Sequence, residues 1–426
     1  MKKVLIITYY WPPSGGAGVQ RWLRFSKYLL QLGWQPFILT VDPEYAAYPA
    51  IDTSLGKDIP PGIEVHITRA TDWFSIYGTD KSKVPSAGFA KNKDDSLKGK
   101  LFRFIRGNFF IPDPRRGWNK YAYHKACDLI NNNNITILIT TSPPHSSQLI
   151  GLKLKKRFPG INWLADLRDP WTDIFYYNEF YPTFFSKKID SWYERKVLKK
   201  ADEIITVGDS LKETFSKKAS GIESKIHVIT NGFDETDFEN KPVFNPSTFT
   251  ITYVGTLSEA YPIDGLLSAL SKIQNADKSF LLRFVGTITE PIRKKITSEL
   301  NGDSVEFIPY AIHSEAILHM LNSSMLLLVI PDHKNNDSII TGKIFEYIAS
   351  KKPILCLGPE NGDAAKIIKN NNFGDSFSYY DSKNIESFII KNLSTQSPIG
   401  GNTNHFSQKN LVKILASYLD KFIIVP

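Results

Sequence analysis

Cysteine is almost absent. Cys127 and Cys356 are the two in 426 residues, with no CxxC pair and no Cys/His cluster beside either. That argues against a disulfide framework or a structural zinc site and predicts two reduced, buried thiols. Long apolar runs are missing too: no stretch approaches the roughly 20 residues of a spanning helix. The opening "MKKVLIITYYWPP" pairs Lys2 and Lys3 with a short apolar run, but reaches Trp11-Pro12-Pro13 without a small-residue cleavage site. A buried first strand is expected there, not an export signal, and the protein is expected in the cytoplasm. There is no tandem repeat of short period, and the asparagine clusters at 131–134 and 370–372 close helical patterns. Acid is in deficit, with 43 Asp and Glu against 52 Lys and Arg, a net charge of +9. Such an excess serves nucleic acid, an anionic membrane surface or small anionic substrates. No nucleic-acid-binding module is recognisable, so no nucleic acid partner is expected.

What is present is a globular composition, 42% hydrophobic and 22% charged. The length implies at least two domains. Strand-like apolar runs ("KVLIITYY", "QPFILTV", "IEVHITRA", "ITILITT", "NWLADL", "DEIITVG") alternate with helix-periodic segments through the first half. A second alternating series starts with "FTITYVG" near residue 248 and runs through "FLLRFVG", "VEFIPYA", "MLLLVIP" and "KPILCLG". Both predict mostly parallel sheets covered by helices on two faces. The expected domains are 1–235 and 248–404, joined by a polar linker at 236–247. A last helix, within 405–426, is expected to pack back on the first domain. Two doubly wound domains imply a cleft between them, with ligands at strand carboxyl ends.

The loop "WPPSGGAGVQ" (11–20) follows the first strand and opens the first helix. Gly15, Gly16 and Gly18 allow close backbone approach, and a helix start favours anions. The spacing is neither GxxxxGK[ST] nor GxGxxG, since Arg21 occupies the third glycine's place. A bare tight turn remains the alternative. "TSPPHSSQ" (141–148) places His145 at another strand end, as a ligand to a hydroxyl or phosphate or as a helix-capping residue. "DLRDPWTD" (166–173) gathers Asp166, Arg168, Asp169 and Asp173 at a third, a composition costly in a core and suited to a polar substrate. In the second half, "YVGTLSEAYPIDG" is a glycine loop suited to a diphosphate. "SIITGKIFEYIAS" starts a helix at Gly342-Lys343, with Glu346 one turn inside for sugar hydroxyls or as a helix-dipole partner. The densest basic stretch, "LKGKLFRFIRGNFFIPDPRRGWNK" (97–120), interleaves Lys98, Lys100, Arg103, Arg106, Arg115 and Arg116 with Phe102, Phe104, Phe109, Phe110 and Trp118. This is the pattern of a segment lying on anionic headgroups, or of a solvated helix with a buried apolar side.

In their order and spacing, "YYWPPSGGAGVQR", "TSPPHSS", "DLRDPW", "ITNGFD", "YVGT" and "GKIFEYIASKKPIL" resemble the retaining, nucleotide-sugar-dependent glycosyltransferases of family 4, of bacterial surface-polysaccharide assembly, on the GT-B fold. The resemblance covers nearly the whole chain. It implies two Rossmann-like domains and a nucleoside diphosphate sugar as co-substrate, with no further cofactor and no metal. It implies a saccharide or lipid-linked saccharide acceptor, and peripheral work on the inner face of the cell membrane through 97–120. By residue, it implies Gly15, Gly16, Gly18, Gly255, Thr256, Arg283, Ser338, Gly342, Lys343 and Glu346 on the donor. Arg21, His145, Arg168 and Asp169 fall on the acceptor side, and His145, Asp169 and Glu346 in catalysis. Three positions depart from the family pattern. Ser338, beside Asp337, stands for the first Glu of Glu-x7-Glu. Thr256 and Asp264-Gly265 replace a basic diphosphate clamp, for which Lys343 and Arg283 are the substitutes. Arg168-Asp169 occurs where a His is common. Three other readings fit the sequence: a nucleotide-sugar epimerase, a dinucleotide oxidoreductase using Asp42 on a ribose, and a non-catalytic basic binding protein.

Overall fold

The computed structural model describes residues 1–71, 73, 96–242, 246–395 and 400–424. The chain divides into two compact units, 1–230 with 411–426, and 231–410. Residues 236–242 of the expected linker therefore belong to the second unit.

In the first unit, β1 (Lys2–Ile7) leads through the glycine loop to α1 (Ala17–Gln31). Strands β2 (Trp34–Val41) and β3 (Glu64–Thr68) follow, then α2 (Leu97–Phe109) and α3 (Asn119–Asn133). Next come β4 (Ile137–Ser142), α4 (Ser146–Arg157), β5 (Asn162–Leu167) and α5 (Phe184–Lys200). The series closes with β6 (Glu203–Thr206), α6 (Asp209–Lys218) and β7 (Ile226–Val228). The seven strands pair in parallel in the order β3-β2-β1-β4-β5-β6-β7. Alternation along β1 supplies two cores: Leu5 and Ile7 join Trp163 and the helices of one face, while Val4 and Ile6 join α1 on the other. Residues Leu411, Val412, Leu415 and Leu419 of the final helix complete that second face. Full burial of each such side chain stabilises by roughly 1.5–3 kcal/mol.

The second unit holds β8 (Phe249–Val254), α7 (Asp264–Asn275), β9 (Phe280–Val285), α8 (Glu290–Glu299) and β10 (Val305–Ile308). Then come α9 (His313–Leu321), β11 (Met325–Val329), α10 (Lys343–Ala349), β12 (Ile354–Leu357) and α11 (Asp363–Asn370). Strand β13 (Gly374–Phe377) and α12 (Ser382–Thr395) precede the final helix, α13 (Gln408–Ile424). The order is β10-β9-β8-β11-β12-β13, again parallel. Strand β13 was not legible in the sequence because "GDSF" has no apolar run. Its pairing rests on Gly374, at φ +152°, where a Cβ would lie 2.0 Å from the Ile354 carbonyl oxygen. Both sheets reverse their winding once, between β1 and β4 and between β8 and β11. A doubly wound sheet takes ligands beyond the carboxyl ends of the strands at that switch point.

Candidate functional site

In the first unit, the loop after β1 and the loop after β4 flank the switch point. The glycine loop is held by Gly15 N–H to the Ala50 carbonyl (2.9 Å) and Asp52 N–H to the Pro13 carbonyl (2.8 Å). Gly16 adopts φ +94°, which a side chain would strain, and α1 begins at the next residue. No side chain caps α1 and its first turn has no acid, so its positive end is left for an external anion.

Around this loop the predicted residues separate into braces and ligand-facing groups. Arg21 is 3% exposed. Its guanidinium donates to the carbonyls of Thr230 (2.8 Å) and Ile229 (2.9 Å) and lies 3.5 Å from Asp166. It braces the interior of the domain and does not face an acceptor. Asp166 is fully buried and accepts from Trp22 Nε1 and Thr141 Oγ1, both at 2.7 Å. Asp173 pairs with Lys218, which also holds the buried Glu194. Two of the three carboxylates of "DLRDPWTD" are therefore internal partners. Arg168 ties two loops together, donating from Nε to the Ser142 carbonyl (3.1 Å) and from Nη1 to the Gly18 carbonyl (3.2 Å). Asp169 remains, half-buried, its carboxyl pushed up by burial against the opposing pull of Arg168. His145 stacks on Trp171 at 4.9 Å and 11°. Burial holds its pKa down to about 4, so the ring is neutral at neutral pH and is no phosphate cation.

Four side chains absent from the predicted site, Tyr10, Arg115, Arg106 and Tyr176, lie in the same unit, with Tyr10 beside the glycine loop. The ring of Tyr10 lies 3.8 Å from where a Gly18 Cβ would stand, and the Arg115 guanidinium lies 5.6 Å from its centroid. Arg106, on α2, stacks 4.0 Å above Phe180, whose other neighbour is Tyr176 at 5.9 Å. Arg106 and Arg115 were read as part of a lipid-facing stretch, but the stretch divides. Trp118 and Phe110 are buried, Trp118 donating to Thr68 Oγ1 at 2.8 Å, while Leu97, Leu101, Phe102, Phe104 and Phe109 are exposed. The helical period was the available signal: Arg106 lies about two and a half turns after Leu97 and so falls on the opposite side of the helix.

In the second unit, Gly255 ends β8 at φ +122°, and a Cβ there would lie 2.8 Å from Lys343 Nζ. That ammonium donates to Tyr253 Oη at 2.9 Å and sits 4.3 Å from the ring centroid. No described carboxylate lies within ion-pair distance of it. Burial, opposed by the Glu346 charge, brings its pKa down to about 8. Glu346 lies 3.8 Å from His313 Nδ1, and His313 Nε2 lies 3.4 Å from Asp237 Oδ2. Burial raises the Glu346 carboxyl. Gly342 immediately precedes α10. Thr256 is exposed, its carbonyl accepting from Tyr253 Oη at 2.6 Å. Ser338 donates to the Asn335 carbonyl at 3.3 Å. Arg283 is not gathered with Lys343: it sits two residues inside β9 and pairs with Glu306 at 2.6 Å, because its strand neighbour supplies an acid. Asp264, at the family's clamp position, forms an ion pair with Lys295 that joins α7 to α8. His313, Asp237 and Tyr253 were missed because they come from three separate segments.

Solved structures with this architecture span the whole chain. A glycosyltransferase from Rickettsia africae ESF-5 matches with TM-score 0.61 at 14% identity, covering 100% of this chain and 99% of that one. HepE from Anabaena, in complex with UDP, matches with TM-score 0.62 at 12% identity, covering 99% and 100%. The lipopolysaccharide outer core galactosyltransferase WaaB matches with TM-score 0.59 at 13% identity, covering 99% of each. The chain thus shares the GT-B fold of these structures, two doubly wound parallel sheets with loop clusters at both switch points. Residues 82–237 match the model of Glycosyltransferase Family 4. No curated protein sequence matches the chain.

Proposed function

We propose that the protein moves a sugar, with retention of anomeric configuration, from a nucleoside diphosphate sugar to a hydroxyl of a saccharide or lipid-linked saccharide in cell-surface polysaccharide assembly. The observation that carries this reading is the Lys343 ammonium. It is a half-buried cation with no described carboxylate within ion-pair distance, beside Gly255 at the switch point of a doubly wound sheet. An anion is what such a group lacks, and a diphosphate at that place supplies it. HepE, of the same fold, is known in complex with UDP-glucose, which makes a UDP-sugar the first donor to test.

In the reaction, the bond between the anomeric carbon and the diphosphate oxygen breaks, and the diphosphate leaves with the electron pair. The acceptor oxygen bonds to the same face of that carbon, and its proton departs on the diphosphate. Negative charge grows on the leaving group, so Lys343 stabilises the transition state more than the ground state. The positive end of α1 acts on the same kind of charge. Glu346 accepts hydrogen bonds from sugar hydroxyls, and Asp169 holds the acceptor hydroxyl. No residue is assigned as a covalent nucleophile, and the diphosphate chemistry is assigned to protein groups without a metal.

The enzyme would work at the inner face of the cell membrane. Helix α2 exposes Leu97, Leu101 and Phe104 at helical spacing, and α5 adds Phe185, Ile189 and Trp192. Asn108 joins the two helices, accepting from Thr183 N–H and Ser186 Oγ at 2.7 Å each. Lys98, Lys100, Lys188, Arg195 and Lys196 flank the apolar stripes, while the acids of α5, Asp190 and Glu194, are buried. That charge balance selects an anionic bilayer as the surface that covers them.

The test is a thermal-shift series with UDP-, GDP- and ADP-glucose, followed by transfer assays with the stabilising donor. A bound donor raises the Tm with ligand concentration. Lys343→Ala and Glu346→Ala are each expected to lower kcat at least tenfold with the fold intact. Full activity in both variants would overturn the donor assignment, and isomerised donor without transfer would make the enzyme an epimerase.

A further inference from the structure

We propose that His313 is a positioning residue of the donor site: lodged between Asp237 and Glu346, it holds the Glu346 carboxylate in place for hydroxyls of the nucleotide sugar. This rests on the donor reading of Glu346 and deepens it, because it assigns the acid limit of donor binding to one side chain.

Three segments of the second unit meet at this point. Asp237 closes the short turn at 235–237, His313 is the first residue of α9, and Glu346 lies in the first turn of α10. One core cluster holds the segments together. Phe233 ahead of the turn, Ala316 and Met320 of α9, and Phe345 of α10 are all buried in it, with Phe238 packed against them. The rings of Phe233 and Phe238 flank the turn and meet edge-on at 6.0 Å. Phe233 is also tied by its backbone, donating to the Phe406 carbonyl (3.1 Å) and accepting from Gln408 N–H (2.9 Å). Apolar packing thus brings three polar groups together from positions far apart in the chain.

His313 meets a carboxylate with each ring nitrogen. Nε2 lies 3.4 Å from Asp237 Oδ2, and Nδ1 lies 3.8 Å from Glu346 Oε1. A neutral imidazole has one N–H and one acceptor nitrogen, while the protonated ring donates from both. Two carboxylates, which only accept, therefore match the protonated ring. Glu315, the acid nearest in sequence, serves the helix start instead, its Oε2 accepting from Ile312 N–H at 3.4 Å.

The charge matters because burial raises the Glu346 carboxyl, and a protonated carboxyl gives up acceptor capacity that donor hydroxyls would use. The charged groups acting on Glu346 are His313, Asp237 and Lys343. His313 leads the opposition to burial, ahead of Lys343 on the same helix, while Asp237 adds to the rise. A second carboxylate this close would work against Glu346, and the ring between them turns it into support for the ring. His313 is exposed, so water screens the pair, and the effect to expect is a few-fold rather than a hundredfold.

The test is calorimetry on the full chain from pH 5 to 9, with whichever of UDP-, GDP- and ADP-glucose binds wild type most tightly. The variants are His313→Ala, His313→Gln, Glu346→Gln, and His313→Ala combined with Glu346→Gln, each checked for its fold by a thermal melt. Wild-type affinity should fall on the acid side, as Glu346 takes a proton. In His313→Ala that fall should begin at higher pH, with binding about fivefold weaker at pH 6. The alkaline fall, which belongs to Lys343, should stay where it is. His313→Gln keeps a hydrogen-bond donor without the charge and should share the acid shift. In the Glu346→Gln background, His313→Ala should change affinity less than twofold. An equal loss in both backgrounds, or an unmoved acid limb in both His313 variants, would overturn the proposal alone. Glu346→Gln binding as tightly as wild type, or none of the three sugars binding wild type, would overturn the donor reading and the proposal with it.

Discussion

Lys343 is the residue whose charge state controls the most. Its ordinary pKa is 10.5 and the fold brings it to about 8. Between these values the unfolded chain holds the proton more tightly than the folded one. From this group alone, the ligand-free protein therefore gains stability as pH rises through that window. Diphosphate binding runs the other way, because the anion needs the protonated amine. UDP affinity is expected to fall above pH 8, by up to about tenfold per unit for one linked proton. Calorimetry at pH 7, 8 and 9 in wild type and Lys343→Met checks this: the variant should bind weakly and lose the slope. A pH-independent UDP affinity in the wild type would show that Lys343 does not meet the anion. At the same scale, sequence and structure part most clearly in "DLRDPWTD". The motif announces four polar groups, but Asp166 is spent on Trp22, Thr141 and Arg21, and Asp173 on Lys218. Which carboxylate is left over depends on partners more than twenty residues away, and no local pattern encodes that.

Helices set the position of these groups through close approaches. Gly107 of α2 lies so near the turn at 177–180 that a Cβ would come within 2.2 Å of the Phe180 carbonyl oxygen. Gly107→Ala should therefore push Arg106 and Phe180 apart. The expected readout is a lower Tm in a thermal melt, since the added methyl overpacks that contact. Gly151 of α4 plays the corresponding part in the core, where a Cβ would stand 2.4 Å from the Trp163 ring. Gly151→Ala overpacks that contact and should cost about 1–3 kcal/mol, read as a lower Tm in a thermal melt. An unchanged Tm would mean that Trp163 has room to move. The sequence showed α4 as a helix and left α2 between a headgroup-lying segment and a solvated helix, but did not show which glycine was a contact and which a turn. Helix α5 adds a lesson of the same kind. Its inward Asp190 accepts from Trp171 Nε1 (2.7 Å) and Tyr177 Oη (3.0 Å), anchoring the loop that carries Asp169. Its outward Phe185 and Trp192 are 75% and 50% exposed. One amphipathic period serves a site and a surface.

For the whole molecule, no described helix is long and apolar enough to cross a membrane. The proposed contact with a bilayer is assigned to the exposed face of α2 and α5. The protein should co-sediment with vesicles containing phosphatidylglycerol, less at 0.5 M salt than at about 0.1 M, since exposed charges are screened over a shorter distance. Trp192→Glu with Phe185→Glu should abolish sedimentation without lowering the Tm, because both side chains are already in water. Binding equal to wild type in that double variant would refute the membrane face.

Alternating apolar runs and Gly-Pro punctuation determined, from sequence alone, that the chain forms parallel sheets under helices, and pointed to the loops after β1, β4, β5 and β8 as the candidate sites. Those features are local: a strand and its following turn are written within some twelve residues. The tertiary structure decided which polar groups stay unpaired. Arg21 turned inward, Arg283 found Glu306, and Lys343 and Arg106 were left as half-buried cations with no ion pair among the described residues. Whether a charge is neutralised depends on side chains brought together from distant segments, and only folding puts them within a few ångströms of each other.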